Sequence, residues 1–228
     1  MRVALGIDTA TSVGSLALAR DGEVLGSETI VEDAEHSAAL GPALDRLLGR
    51  CGTTLREVRG LGVGLGPGSY TGLRVGIAFA KGLEFGLGVP LVGVPSFEAM
   101  VYACRDFDGT IGALVDARMG GIYAGLYRVH GSAVKVVREP WVVDTGKFAL
   151  EVEGPLLFVG PDAAVMHKLG EGFEGVAFHQ KNPDAGYTAL QAATLLAERK
   201  TTERFATIEP YYLRPSFAEL SQQRKLKK

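Results

Sequence analysis

Two hydrophobic periods alternate along the chain. Residues 2–8, 13–20 and 24–31 run as short apolar and alternating segments and predict three strands. Asp21 and Gly22 supply the tight turn between the second and third, because both residues tolerate positive φ. From His36 to Arg50 the period lengthens, and Leu40, Ala43, Leu44, Leu47, Leu48 and Cys51 fall on one side of a helix. Thr54 and Glu57 fit a capping box for a shorter helix. A strand at 61–66, a glycine-rich loop, a helix from about 71 to 86, a strand at 91–94 and a helix from Ser96 to Cys104 follow. "RDFDG" (105–109) reads as a domain boundary and divides residues 1–104 from 105–228.

Beyond that boundary the pattern restarts. "GIDTATSVGSLALARDGEVL" (6–25) and "ALVDARMGGIYAGLYRVHGSAV" (113–134) share one plan: a small-apolar strand ending in Asp, a polar turn, an alternating strand, a glycine turn and another strand. Asp8 and Asp116 occupy equivalent places. A duplicated unit of this kind predicts two halves facing each other across a cleft. The second half continues with strands near 134–143, 156–160 and 175–179 and helices near 162–169 and 187–200, and ends in a basic tail.

The stretch "GLGPGSYTGLRVG" (64–76) invites a phosphate-binding reading, which its spacing does not support. No window supplies G-x-x-x-x-G-K-[ST], and Ser69 stands where G-x-G-x-x-G needs its third glycine. Such motifs work by aiming successive backbone N–H groups at an oxyanion, so the spacing is the content. The helix after the loop is more informative. Gly72, Gly76 and Ala80 form a narrow stripe of small residues four apart, flanked by Leu73, Ile77 and Leu83, with Val75 and Phe79 on another side. A helix apolar on more than one side is buried on more than one side, either inside this chain or against a partner.

Composition narrows the function classes. A formal net charge of -2 gives no broad basic footprint for binding nucleic acid unaided. Cys51 and Cys104 form no metal-ligand spacing or disulfide framework, which makes a reducing cytoplasm the expectation. Asp8 interrupts the first apolar run before a signal-peptide core forms, and no run of 18 apolar residues predicts a membrane span.

"GIDTATSVGSLAL", "EHSAALGPALDRLL", "GVGLGPGSYTGLRVGIAFAKGLEFGLGVPLVGVPSFEAM", "ALVDARMGGIYAGLY" and "EPYYLRP" together resemble the TsaB (YeaZ-like) family of bacterial tRNA threonylcarbamoyladenosine biosynthesis proteins, over nearly the whole chain. The resemblance implies an α/β, actin- and hexokinase-like fold of two RNase-H-like subdomains, each a mixed central sheet with flanking helices. It also implies a non-catalytic scaffold. TsaB-like proteins pair with a catalytic paralogue, TsaD, and an ATPase, TsaE. The assembly transfers a threonylcarbamoyl group from threonylcarbamoyl-adenylate to adenosine 37 of tRNAs reading codons that begin with A. TsaB-like proteins meet the catalytic subunit through their first two long helices. This carries over as a partner interface at Leu40, Leu44, Leu47, Leu48, Gly72, Leu73, Gly76, Ile77 and Ala80, with a two-fold homodimer when the chain is alone.

The catalytic paralogue holds a metal through an H-x-x-x-H pair after a strand resembling "LVGV". Ser96 and Met100 stand at those positions here, and neither restores a divalent-metal site. His36, His130, His167 and His179 are scattered and show no ligand spacing. Asp8, Thr9, Thr11 and Ser12 resemble a degraded phosphate-binding turn, with Asp116 across the cleft. Either they are vestiges of a nucleotide site or the two aspartates cap strands and accept hydrogen bonds in the turns that follow. No intrinsic cofactor is expected, and ATP or ADP would bind weakly or only within the complex. Arg118 sits in the turn after Asp116, and "RKLKK" (224–228) either meets tRNA phosphates or solubilises the tail. The competing functions are an ATP-dependent kinase or ATPase of the same fold and a metal-dependent glycopeptidase. The incomplete phosphate loop opposes the first, and Ser96 and Met100 oppose the second.

Overall fold

The computed structural model describes residues 3–31, 36–131, 133–198 and 208–214. The side chains of His36, Ser37 and three residues near the end of the last helix, together with the basic tail, lie outside that description. Ten strands and five helices are described in the order β1 (Val3–Asp8), β2 (Val13–Arg20), β3 (Glu23–Val31), α1 (His36–Arg50), β4 (Val58–Gly64), α2 (Tyr70–Leu87), β5 (Leu91–Val94), α3 (Ser96–Tyr102), β6 (Gly109–Asp116), β7 (Gly121–His130), β8 (Ala133–Asp144), β9 (Leu156–Gly160), α4 (Ala163–Gly170), β10 (Ala177–Gln180) and α5 (Ala185–Glu198).

The strands form two five-stranded sheets of the same topology, β3-β2-β1-β4-β5 and β8-β7-β6-β9-β10. In each, the first three strands form an antiparallel meander, and the last two join parallel to the meander's first strand. The duplication read from the sequence is therefore structural, with β1 and β6 in equivalent places and Asp8 and Asp116 at their ends. This is the actin/hexokinase-like arrangement. Asp21 (φ 52°) and Gly22 (φ 87°) both take the left-handed conformation at the β2–β3 turn, as the dipeptide predicts.

The helices do not stay with the half that precedes them in sequence. α1 and α2 cover one face of the first sheet, where Leu40, Leu44, Leu47, Leu48, Ile77 and Ala80 pack against Leu5, Ile7, Leu16, Leu18, Leu61 and Val63. α3, which follows β5, packs on the second sheet through Phe97, Met100 and Val101 against Ile111, Ala113, Tyr127 and Val159. α5 makes the reciprocal crossing and lies on the other face of the first sheet, beside Ala4, Ala17, Ala19 and Val94. The chain thus crosses between the sheets at Pro95 and again at residues 181–184, and the boundary read at 105–109 separates the strands but not the helices. Where the exchanged helices meet, the Tyr102 and Tyr187 rings lie 4.6 Å apart and the Tyr187 hydroxyl donates to Glu98 at 3.2 Å.

The crossing of α5 accounts for the glycines of β1 and β4. A Cβ on Gly62 would lie 2.5 Å from the Thr188 carbonyl oxygen, and one on Gly6 would lie 2.5 Å from the Ala189 nitrogen. Residues 6 and 62 are side by side in the sheet. Together they form the shallow seat on which the α5 backbone rests, an approach that only residues without a side chain allow.

Candidate functional site: the cleft between the sheets

A cleft of about 690 Å³ opens between the two halves, within the range of small-molecule sites. Its walls come from four segments at the ends of equivalent strands: the β1–β2 turn (Ala10–Ser12), the loop before α2 with the helix's first residues (Gly68–Thr71), the β6–β7 turn (Asp116–Met119) and the β9–α4 turn with the start of α4 (Pro161–Ala164). Tyr211, Tyr212 and Arg214 close a further side. α2 and α4 both begin at the cleft, and the N-cap side chain of each takes one N–H of its first turn. Ser69 Oγ accepts from Gly72 N at 3.2 Å, and Asp162 Oδ1 accepts from Val165 N at 3.1 Å.

The sequence-predicted nucleotide residues separate into two groups. Asp8 is buried and is not part of the cleft wall. Its Oδ1 accepts from Ala10 N at 2.9 Å and its Oδ2 from the Ser96 hydroxyl at 2.7 Å. Ser96 Oγ in turn accepts from Gly66 N at 3.0 Å. Burial pushes the Asp8 carboxyl up to about 6, against the lowering effect of those two donors. Thr9 is also buried, and its hydroxyl donates to the Gly72 carbonyl at 2.7 Å. Thr11 is buried as well, its hydroxyl shared between the Val13 carbonyl and the Asn182 side chain. Ser12 and Asp116 alone of the five have exposed surface on the cleft. Asp116 accepts from the Arg118 amide at 2.8 Å and lies 3.7 Å from its guanidinium. A hydrated magnesium and a phosphate chain need a carboxylate free to face them. With Asp8 enclosed by Ser96 and Ala10, this residue set does not fit that group.

Ser96 and Met100 are both fully buried, the first as the partner of Asp8 and the second in the core of the second sheet. Among the described residues no group of three His, Cys, Asp or Glu side chains could hold a metal ion. His179 Nδ1 lies 3.5 Å from Cys104 Sγ, whose thiol burial pushes up. His130 meets Asp108 at the surface, and His167 lies against Phe178.

The expected partner-interface residues require a correction. Leu40, Leu44, Leu47, Leu48, Leu73, Ile77 and Ala80 are all buried within this chain, none more than 7% exposed. Gly72 and Gly76 do admit a close neighbour, but it is the chain's own Thr9, by its backbone at Gly72 and by its side chain at Gly76. Side chains there would collide with the Thr9 carbonyl and the Thr9 hydroxyl respectively. The physical reason is that α1 and α2 must together cover one face of the first sheet, and their most apolar stripe is spent on it. The glycine-rich stretch at 64–76 is thus a socket for the β1–β2 turn. Ser69 N donates to the Ala10 carbonyl at 2.7 Å, and a side chain at Gly68 would strike that same carbonyl.

What remains outside is a different set. On α2 the outer face carries Tyr70, Arg74, Ala78, Gly82, Phe85 and Gly86, with Phe85 94% exposed. A Cβ added at Gly82 or Gly86 would meet nothing. α1, beside it, exposes Ala38, Pro42 and Asp45. The sequence signal for this face was present in the spacing of Ala78, Gly82 and Phe85, but the more regular glycine stripe masked it.

The comparisons with known proteins agree with this architecture. The family model for TsaD, the tRNA N6-adenosine threonylcarbamoyltransferase, matches residues 23–214. The tRNA threonylcarbamoyladenosine biosynthesis protein TsaB of Bacillus subtilis is 32% identical over 224 residues, covering 94% of this chain and 95% of the relative. TsaB of Escherichia coli is 32% identical with 96% of each chain covered. The solved structure of YeaZ from Pseudomonas aeruginosa superposes with a TM-score of 0.77 at 25% identity, covering 93% of this chain and all of that one. Match and coverage on this scale show that the chain belongs to the TsaB family of tRNA threonylcarbamoyladenosine biosynthesis proteins.

Proposed function

We propose that this chain is a non-catalytic subunit of the assembly that makes threonylcarbamoyladenosine in tRNA, and that it works by holding a TsaD-like catalytic paralogue through the outer faces of α1 and α2. The observation that carries the reading is the family membership over nearly the full chain. A transferase needs a reactive centre, whereas the carboxylate beneath the cleft is enclosed and the positions equivalent to the paralogue's metal ligands carry a buried Ser and Met. The exposed Phe85 with open small residues at 82 and 86 supplies a ridge and grooves for a partner helix. In the same reading a TsaE-like ATPase and the tRNA join through the complex, in the cytoplasm, and the isolated chain pairs with a second copy through the same apolar face. No helix among the described residues is long and apolar enough to cross a membrane.

The test is reconstitution. Purified chain alone should leave tRNA unmodified and should release no phosphate from ATP. Adding it to the catalytic paralogue, the ATPase and threonylcarbamoyl-adenylate should restore modification that is absent without it. Turnover by the isolated chain, or full modification in its absence, would refute the scaffold reading.

A further inference from the structure

The segment after α5 does not simply trail away from the molecule. Ile208 packs against the core under α1 and α2. The Tyr211 amide donates to the Leu65 carbonyl at 2.8 Å, one residue beyond the end of β4. The Tyr212 ring lies 5.1 Å from the ring of Tyr70, the first residue of α2, at an interplanar angle of 30°. All of these anchors belong to the first sheet and its helices. Two residues later the segment reaches the other half. The Arg214 guanidinium donates from Nη1 to the Arg118 carbonyl at 2.9 Å and approaches the Ala117 carbonyl at 3.4 Å.

The receiving turn is shaped for that contact. Arg118 (φ 63°), Met119 (φ 53°) and Gly120 (φ 75°) are consecutive left-handed residues, two of them with side chains that disfavour the conformation. The turn is held by the Asp116 carboxylate on the Arg118 amide and by the Thr145 hydroxyl and amide on the Gly120 carbonyl. A Cβ at Gly121 would lie 3.0 Å from Arg214 Nη1, tight enough that a side chain there would crowd the guanidinium. The two chain crossings, at Pro95 and at 181–184, join the sheets by covalent connection, whereas the segment 208–214 runs along the cleft and joins them by a guanidinium on two carbonyls.

We infer that residues 208–214 form a latch across the mouth of the cleft: Tyr211 and Tyr212 anchor it to the loop before α2, and Arg214 fastens it to the β6–β7 turn. The two halves then open about the crossings when Arg214 lets go, in the manner of a hinge. Any ligand entering the cleft from that side displaces the latch first. Because Tyr212 rests on Tyr70, release of the latch also frees the start of α2.

Spin labels at Thr71→Cys and Ala164→Cys, exposed positions on opposite walls, report the mouth width in a chain whose Cys51 and Cys104 are replaced by alanine. The latched chain should give a single narrow distance distribution. Arg214→Ala should add a longer population, and Tyr212→Ala should do the same while leaving the arginine in place. Distributions unchanged in both folded variants would overturn the proposal. Hydrogen exchange on the unsubstituted chain tests it independently. The Tyr211 amide should exchange at least about a hundredfold faster than the Leu61 amide in the sheet, by local opening. Equal rates at the two amides would mean that the segment opens only when the protein unfolds, and would also overturn the latch. Arg214→Ala should speed the Tyr211 amide by a further tenfold or so, the effect of losing a charge-assisted hydrogen bond.

Discussion

Gly76→Ala tests whether the small-residue stripe of α2 serves the chain's own packing. A Cβ at residue 76 would lie 2.2 Å from Thr9 Oγ1 and 3.4 Å from Thr9 Cβ. The second distance is ordinary contact, so the hydroxyl is the obstacle. That hydroxyl is buried and donates to the Gly72 carbonyl at 2.7 Å, and rotating it away leaves a buried donor without its acceptor. Overpacking and a lost buried hydrogen bond each cost about 1–3 kcal/mol, and here they are alternative ways of relieving one clash. Replacing a mid-helix glycine by alanine returns roughly 1 kcal/mol. The net expectation is a loss of up to about 2 kcal/mol, which in a chain of this size lowers the melting temperature by up to roughly 8 °C. Thr9→Ala removes the obstructing oxygen, so in the double variant the alanine at 76 should be tolerated. The coupling energy of the cycle should then be about 1 kcal/mol or more in the favourable direction. Urea unfolding followed by circular dichroism and by Trp141 fluorescence supplies the four stabilities. Additive effects, or a Gly76→Ala variant of full stability that binds the catalytic subunit less well, would show that the stripe faces outward after all.

Three further outcomes follow from the same geometry. Asp8 is unfavourably charged when folded: its pKa rises from 3.8 to about 6, so the favourable state is present below 3.8 and is lost as pH rises through about 6. Keeping the charge at neutral pH therefore costs roughly 3 kcal/mol, and Asp8→Asn should flatten the fall in stability between pH 4 and 6, with an unchanged slope refuting the assignment. Phe85→Glu should weaken binding to the catalytic subunit about tenfold or more in a titration while leaving the melting temperature within a degree or two, since the ring is 94% exposed; unaltered affinity would move the interface elsewhere. Gly62→Val puts a branched side chain against the Thr188 carbonyl and should detach α5 from the first sheet, seen as loss of amide protection at Ala189 and a drop of several degrees in melting temperature.

The sequence by itself determined the repeating local plan. Hydrophobic period, turn dipeptides and small-residue strands place the three antiparallel strands of the first half to within a residue, because those signals arise from neighbours in the chain, whereas in the second half the repeat read from residue 113 misses the start of β6 at Gly109. The 15-residue helix at His36–Arg50 was legible for the same reason. Tertiary structure decided everything that depends on which face meets what. Gly72, Gly76 and Ala80 have the spacing of a docking stripe whether the approaching backbone belongs to a partner or to the β1–β2 turn, and only the fold puts Thr9 there. Gly6 and Gly62 read only as small residues within strands until α5 arrives from the far end of the chain to rest on them. Asp8 could have faced the cleft, but Ser96, 88 residues away in sequence, encloses it from below. A periodic pattern records that a face is buried. It carries no information about the occupant, because burial is fixed by apolar area and the occupant by the path of the chain.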